Sequence, residues 1–246
     1  MRTLKLTIAY DGTDFCGWQR QASERTVQAV IEDALAPIEG QPVVITGAGR
    51  TDAGVHADGQ VASVSLTTTI GTAEMQRALN ATLPHDVRVC DVVEMRPDFN
   101  ARFDARLKTY RYALWCDLVM PPRQRRYAWH VPQPLDVNAM QVAADLLIGH
   151  HDFAAFQAAG SDVKTTVRDV IASKVEKKPS TPTIEYEITG TGFLRHMVRN
   201  IVGTLVDVGR SRVDSAALLE ILASGDRARA SATAPAHGLT LVRVDY

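Results

Sequence analysis

Apolar and polar residues alternate along residues 4–10, with Leu4, Leu6, Ile8 and Tyr10 on one face and Lys5, Thr7 and Ala9 on the other. A period of two marks a half-buried strand. The period changes at 27–35, where Val27, Val30, Ile31, Ala34 and Leu35 recur at helical spacing behind Thr26, a side chain suited to an N-cap. Pro37, Gly40 and Pro42 are expected to end that helix. A strand near 42–47 and another at 60–66, carrying Ala62, Val64 and Leu66 on one face, flank a glycine-rich loop. A helix near 72–80 and a strand at 87–93 follow, giving the order β-α-β-β-α-β.

The second half runs through the same periods. Residues 106–116 alternate, with Tyr110, Tyr112 and Leu114 sharing a face. Val137, Met140, Ala144, Leu147 and Ile148 recur at helical spacing within 136–148. Strands at 167–177 and 183–190 are joined through Pro179 to Pro182, a hairpin turn by composition. A helix at 195–208 ends at Gly209, and a short helix near 214–223 precedes a last strand at 239–246. Apart from that short helix the order is again β-α-β-β-α-β, the split unit of ferredoxin-like folds. The expectation is an α+β protein of two ferredoxin-like halves, residues 1–104 and 105–246, with antiparallel sheets, helices on one side and an active-site cleft between the halves.

Composition narrows the function classes. The 246 residues are 46% hydrophobic and 22% charged, enough apolar material for a sizeable core and too much for a disordered chain. Lys plus Arg number 27 against 28 Asp plus Glu, so a net charge of −1 gives no global nucleic-acid signal but leaves room for a local basic groove. Cys16, Cys90 and Cys116 are scattered and odd in number, which supports neither a disulfide framework nor a zinc knuckle. The opening MRTLKLTIAYDG alternates and has no apolar signal-peptide region, and no run of 18 apolar residues offers a membrane span. A cytoplasmic protein is expected.

The strongest chemical signal is the loop at 47–59, which holds four glycines together with Arg50, Asp52, His56 and Asp58. It lacks the Lys-Ser/Thr of a P-loop and the GxGxxG order of a dinucleotide fold. A nucleophilic carboxylate must stay ionised in a partly desolvated site, and a nearby guanidinium favours that form. On an extended segment Arg50 and Asp52 point to the same side. The plain alternative is a long hairpin loop with solvated charges. His56 and Asp58 lack a third ligand at suitable spacing, and His150-His151-Asp152 reads as a helix-end cap rather than a metal site.

Two further signals concern nucleic acid. Arg96, Arg102, Arg106, Lys108 and Arg111 interleave with Phe99, Phe103, Tyr110 and Tyr112, and a second cluster holds Arg123, Arg125, Arg126, Tyr127 and Trp129. Cations neutralise phosphates and aromatic rings stack on unpaired bases, although core Phe and surface Arg would give the same pattern. On the helix at 195–208, Arg195 and Arg199 are four apart and are expected to share a face beside Asn200.

The motifs YDGTDFCGWQRQ (10–21), TVQ (26–28), GRTDAGVHADGQV (49–61), NATLPHDVRV (80–89), FNARFDARLKTYRY (99–112), GFLRHMVRNIVGTLVDVG (192–209) and PAHGLTLVRVDY (235–246) stand in order. From end to end the chain resembles the TruA-type tRNA pseudouridine synthases, with no departure at the motif positions. Segments 117–135 and 172–183 match no motif. The resemblance implies that Asp52 is the catalytic aspartate and that Tyr110 stacks on the target uracil. It implies that Arg50 helps extrude the base and that Arg199 is the basic partner of the aspartate. It further implies isomerisation of uridines 38, 39 and 40 in the tRNA anticodon stem-loop, by a homodimer, without cofactor or metal.

The residues suit that chemistry. Uridine becomes pseudouridine when N1–C1′ breaks and C5–C1′ forms. A carboxylate can attack C1′ or take the 2′ proton to give a glycal; Tyr110 or water can then accept the C5 proton. The base must first leave its stack. A non-catalytic RNA-binding module on two ferredoxin-like sheets is the runner-up, but a pure binder gains nothing from an anion facing phosphate. A metal-dependent nuclease using Asp52, His56 and Asp58 is a third reading, distinguished by RNA cleavage and loss of activity with chelator.

Overall fold

The computed structural model of the chain describes residues 1–158, 160 and 163–246. Its elements run β1 (Arg2–Tyr10), α1 (Val27–Glu39), β2 (Thr46–Gly47), β3 (His56–Leu66), α2 (Thr72–Thr82), β4 (Val87–Met95), β5 (Leu107–Trp115), β6 (Trp129–His130), α3 (Val137–Asp145), β7 (Gly149–Asp152), β8 (Val167–Lys177), β9 (Thr183–Gly190), α4 (Met197–Gly209), α5 (Ala217–Ser224) and β10 (Leu239–Asp245). They form two units, Met1–Arg106 with Thr240–Tyr246, and Leu107–Leu239. The α+β class expected from the periodicity is present.

In the first unit β1 lies between β4 and β3, antiparallel to both. Alternation fixes the register, because Leu4, Leu6 and Ile8 are fully buried while Lys5, Thr7 and Ala9 are only half-buried. The far side of β3 is shared. β2 pairs with Ala62 and Ser63, and β10 pairs in parallel with His56 and Ala57. The Thr26 hydroxyl caps α1 by accepting from the Ala29 amide at 3.4 Å. Val27, Ile31 and Leu35 of α1 and Met75 and Leu79 of α2 complete the core.

Two expectations here need correction. Pro37 does not end α1, which runs to Glu39 and closes at Gly40, whose amide donates to the Ala36 carbonyl at 2.8 Å. Proline so near a helix end forfeits only its own amide bond. The strand near 42–47 shrinks to Thr46–Gly47, whereas β3 starts at His56 and takes the last part of the expected loop.

In the second unit the order is β5-β9-β8-β7, antiparallel throughout, with short β6 parallel to β5. Lys178 donates its amide to the Thr183 carbonyl at 2.9 Å and closes the expected β8–β9 hairpin. Tyr112 and Tyr186 are fully buried; the Tyr112 hydroxyl donates to the Pro235 carbonyl and the Tyr186 hydroxyl bonds Ser173. Burial pushes both hydroxyls above the usual tyrosine range. His150-His151-Asp152 is not a helix-end cap but most of β7. His150 bonds Asp169 at 2.6 Å on neighbouring β8, and Asp152 accepts the Ala154 amide.

The helix expected at 195–208 begins two residues later, at Met197. His196 precedes it with φ of 61°, a left-handed conformation rare for a residue with a side chain. That turn separates Arg195 from the helix. Arg195 and Arg199 therefore do not share a helix face: Arg195 is exposed on the approach and Arg199 is half-buried on the first turn.

Candidate active site

Asp52 lies in the irregular stretch between β2 and β3, and the residues around it are fixed by the segment that follows β1. Before it, the buried Thr51 accepts the Trp18 amide on its carbonyl at 3.1 Å, and its hydroxyl bonds the Tyr10 hydroxyl at 2.8 Å. After it, Gly54 donates to the Phe15 carbonyl at 3.3 Å, and Val55 donates to the Asp52 carbonyl at 3.1 Å, closing a turn. Asp52 is left half-buried and Arg50 exposed.

Two glycines make this close approach possible. Gly17 has φ of +87°, and a Cβ there would stand 2.7 Å from the Thr51 carbonyl oxygen. A Cβ on Gly12 would stand 2.0 Å from the Val55 oxygen. The YDGTDFCGWQ segment is thus the bed of the Asp52 loop. Tyr10 is buried in it, and burial pushes its hydroxyl up to about 12 against the opposing pull of hydrogen bonds to Thr51 and Gln60. At neutral pH this hydroxyl stays protonated and serves as a hydrogen-bonding group, not a base. Fully buried Gln60 also donates to the Gly49 carbonyl at 3.0 Å.

His56 is spent on the same scaffold. Its Nδ1 accepts the Gly12 amide at 3.0 Å and lies 3.2 Å from Asp11 Oδ1. Asp58 is exposed on β3. Among the described residues no group of three or more His, Cys, Asp or Glu is placed to hold a metal ion.

In the second unit, Tyr110 sits on β5 opposite Ile188 and is 8% exposed. Its ring meets Phe193 edge-on, with centroids 5.2 Å apart and planes at 85°. Phe193 belongs to the approach to α4. Arg199 donates from Nε to the Ala234 carbonyl at 2.8 Å, and the Ala234 amide returns a bond to the Arg199 carbonyl at 3.1 Å. The guanidinium is thereby held on one side by the backbone of the PAHG approach. Its charge opposes the burial-driven rise of the Tyr112 hydroxyl.

A family model described as tRNA pseudouridine synthase matches residues 6–104 and 143–246, which include Asp52, its bed from Tyr10 to Gln19, Phe193 and Arg199, while Tyr110 lies between the matched segments. The chain is 49% identical over 253 residues to a protein named tRNA pseudouridine synthase A of Solidesulfovibrio magneticus, covering 100% of this chain and 92% of that one. The chain belongs to the tRNA pseudouridine synthase family. A namesake from Moorella thermoacetica is 46% identical and one from Geotalea uraniireducens 44%, each with full coverage of both chains. Among solved structures, one titled "Crystal Structure of a Cbf5-Nop10-Gar1 Complex" aligns with 97% of this chain and 48% of that chain at 13% identity and a TM-score of 0.40, too slight a likeness to carry weight.

The synthase sorts its basic and aromatic stretch into two kinds of residue. Phe99 is core, and Arg96 is tied to Asp98 and Asp104 at 3.0 and 2.8 Å. Arg102, Phe103 and Arg106 are exposed. In the second cluster Arg123, Arg125 and Tyr127 are exposed, on and just after a short turn at Pro122–Arg126.

One group that the sequence places beside Arg199 gains partners that no spacing predicts. Fully buried Asn200 on α4 accepts from Thr233 at 2.6 Å and from Arg227 at 3.1 Å, and donates to the Phe156 carbonyl at 2.7 Å. Arg227 also donates to the carbonyls of Ala230 and Ser231. This cluster fastens the 226–234 loop that Arg199 grips. Its members lie up to 77 residues apart in sequence (Phe156 to Thr233) and several acceptors are backbone carbonyls, which no spacing rule exposes.

Proposed function

We propose that the chain converts uridines 38, 39 and 40 of the tRNA anticodon stem-loop into pseudouridine, acting as a homodimer in the cytoplasm. Asp52 is the catalytic carboxylate, Tyr110 stacks on the target uracil, Arg50 helps extrude the base and Arg199 is the basic partner. Membership in the synthase family gives the reaction class. The observation that supports Asp52 most is its setting. The residues on both sides are pinned by Tyr10, Phe15 and Trp18, which Gly17 lets approach closely, while Asp52 itself is half-buried. A reactive group held by a rigid bed loses little freedom on reaching the reacting geometry.

Substrate and product contain the same atoms, so no net oxidant, reductant or hydrolytic water is consumed. One glycosidic bond, N1–C1′, is exchanged for C5–C1′; the C5 proton is released and N1 takes one up. The Asp52 side chain acts on the ribose. Exposed Arg50, two residues away, is suited to fill the space that the flipped base leaves and to touch phosphate. The site assignment is tested by incubating the protein with an unmodified tRNA transcript and mapping pseudouridine by carbodiimide adducts and primer extension. Stops confined to 38, 39 and 40 are expected. Product only at other positions would contradict the assignment.

Tyr10→Phe should act through Asp52. Losing the buried hydrogen bonds to Thr51 and Gln60 should lower stability by about 1–2 kcal/mol. It should slow single-turnover isomerisation about tenfold through a less exact Asp52 geometry, with tRNA affinity unchanged. Equal turnover at equal affinity would leave the Tyr10–Thr51 bond a purely structural one.

Tyr110 has a ring contact with Phe193 and a uracil to stack on. Tyr110→Phe should keep both ring contacts, so its tRNA affinity should match that of the native protein. A slow turnover in that variant assigns the C5 proton to the hydroxyl; an unchanged one assigns it to water. Tyr110→Ala should lose about 1–3 kcal/mol of base stacking in tRNA binding. Melting, affinity and single-turnover rate on both variants check this, and a stable Tyr110→Ala variant with native turnover would remove every role given to the residue.

A further inference from the structure

Within the first unit, the turn at 99–104 buries alternate residues and turns two outward. Phe99 and Ala101 enter a small core with Ala48 and Val61. The Tyr246 ring sits 5.1 Å from that of Phe99, and its hydroxyl donates to the Ala101 carbonyl at 2.8 Å. Ala101 donates its amide to Ser63 Oγ at 3.1 Å. Asn100 Oδ1 accepts the amides of Arg102 and Phe103 at 2.9 and 3.2 Å, and Asp104 accepts the Asn100 amide at 2.8 Å while its other oxygen holds Arg96. The turn is therefore fixed from below and from both ends.

On this fixed turn Phe103 is 78% exposed. The Arg102 guanidinium lies 5.6 Å from its ring centroid, and exposed Arg106 follows. No other large apolar residue between 96 and 106 is exposed among those described. A single exposed aromatic beside cations on this turn does not resemble an apolar protein-docking face, which needs a contiguous patch. It matches what an unpaired base and its phosphate require, a π-face with a cation beside it. Both acids of the turn, Asp98 and Asp104, are already engaged by Arg96, which reduces their repulsion of phosphate.

We propose that Phe103 is a stacking platform for an unpaired base of the RNA substrate, with Arg102 placed to meet the adjoining phosphate. The proposal rests on the reading of the chain as a tRNA-modifying enzyme and adds an RNA contact outside the four site residues named above. Because the turn is already fixed, its backbone need not be ordered on binding, which favours affinity.

The test uses the full chain and an unmodified tRNA transcript, with affinity measured across a range of salt concentrations. Phe103→Ala should bind about tenfold more weakly at every salt concentration, with the slope of log affinity against log salt unchanged. Phe103→Trp should restore the affinity. Arg102→Ala should flatten the slope by about 0.7–0.9, the value of one phosphate contact. Because the ring is exposed, the melting temperature of Phe103→Ala should equal that of the native protein. Native affinity in Phe103→Ala would overturn the proposal. So would a change in oligomeric mass of that variant without RNA, since the ring would then be covered by a second copy of the chain. Release of C5 tritium by the native protein is measured in parallel. If the native protein releases none but Phe103→Ala still loses affinity, the enzymatic reading fails and the platform stands. If tritium is released and Phe103→Ala binds normally, only the platform fails.

Discussion

Asp52→Asn should reduce pseudouridine formation by about 10³-fold while tRNA affinity stays near that of the native protein. The amide keeps the shape of the carboxylate but is a poor nucleophile and a poor base. The loop should survive the change, because it is held by the Thr51 carbonyl and hydroxyl and by the Asp52 and Phe15 carbonyls, none of which is altered. Single-turnover tritium release and filter binding on the same preparation check both halves of the expectation. A variant that keeps most of its turnover would show that Asp52 is not the catalytic group.

The second large effect is expected at Arg199 and not at Arg195. On the proposed pairing with Asp52, Arg199→Ala removes a half-buried cation and leaves that carboxylate uncompensated, which should slow turnover about 100-fold. Arg195 is exposed and lies before the helix, so Arg195→Ala should change turnover by no more than about twofold. Arg199→Ala also loses the Nε bond to Ala234, but Asn200, Arg227 and Thr233 continue to hold that loop, so the variant should remain folded. Melting curves alongside single-turnover rates separate lost chemistry from lost structure. Small, equal losses in the two variants would return both residues to a solvated surface.

Most of the element order is legible in the sequence because the apolar period switches cleanly between strand and helix; the short strands β6 and β7 are not. Leu4, Leu6 and Ile8 occupy buried positions as read, and so do Val27, Ile31 and Leu35. Thr26 caps its helix because a short hydroxyl before an apolar run has little else to do. Errors fall where local rules meet a longer constraint. Pro37 is tolerated in the last turn of α1, and His150-His151-Asp152 is drawn into a strand by pairing with β8. The four-residue spacing of Arg195 and Arg199 misleads because His196 turns the chain at a positive φ just before the helix starts.

The candidate site is legible as a set of motifs but not as a mechanism of positioning. The GRTDAGVHA loop stands out by composition, whereas the purpose of YDGTDFCGWQ is invisible until its amides and carbonyls meet those of the loop. Tyr10 reads only as the last inward residue of a strand; its hydroxyl's partner, Thr51, is 41 residues away. The basic and aromatic stretch at 96–112 gives one signal for two different uses, and only burial separates core Phe99 from exposed Phe103.

Tritium release from tRNA labelled at uracil C5, measured in the presence of chelator and with the RNA length followed on a gel, tests the enzymatic reading most directly. Isomerisation predicts stoichiometric release of label with the RNA intact, and loss of that release in Asp52→Asn. Retention of the label by the native protein under conditions where it binds tRNA, or cleavage of the RNA, would contradict it.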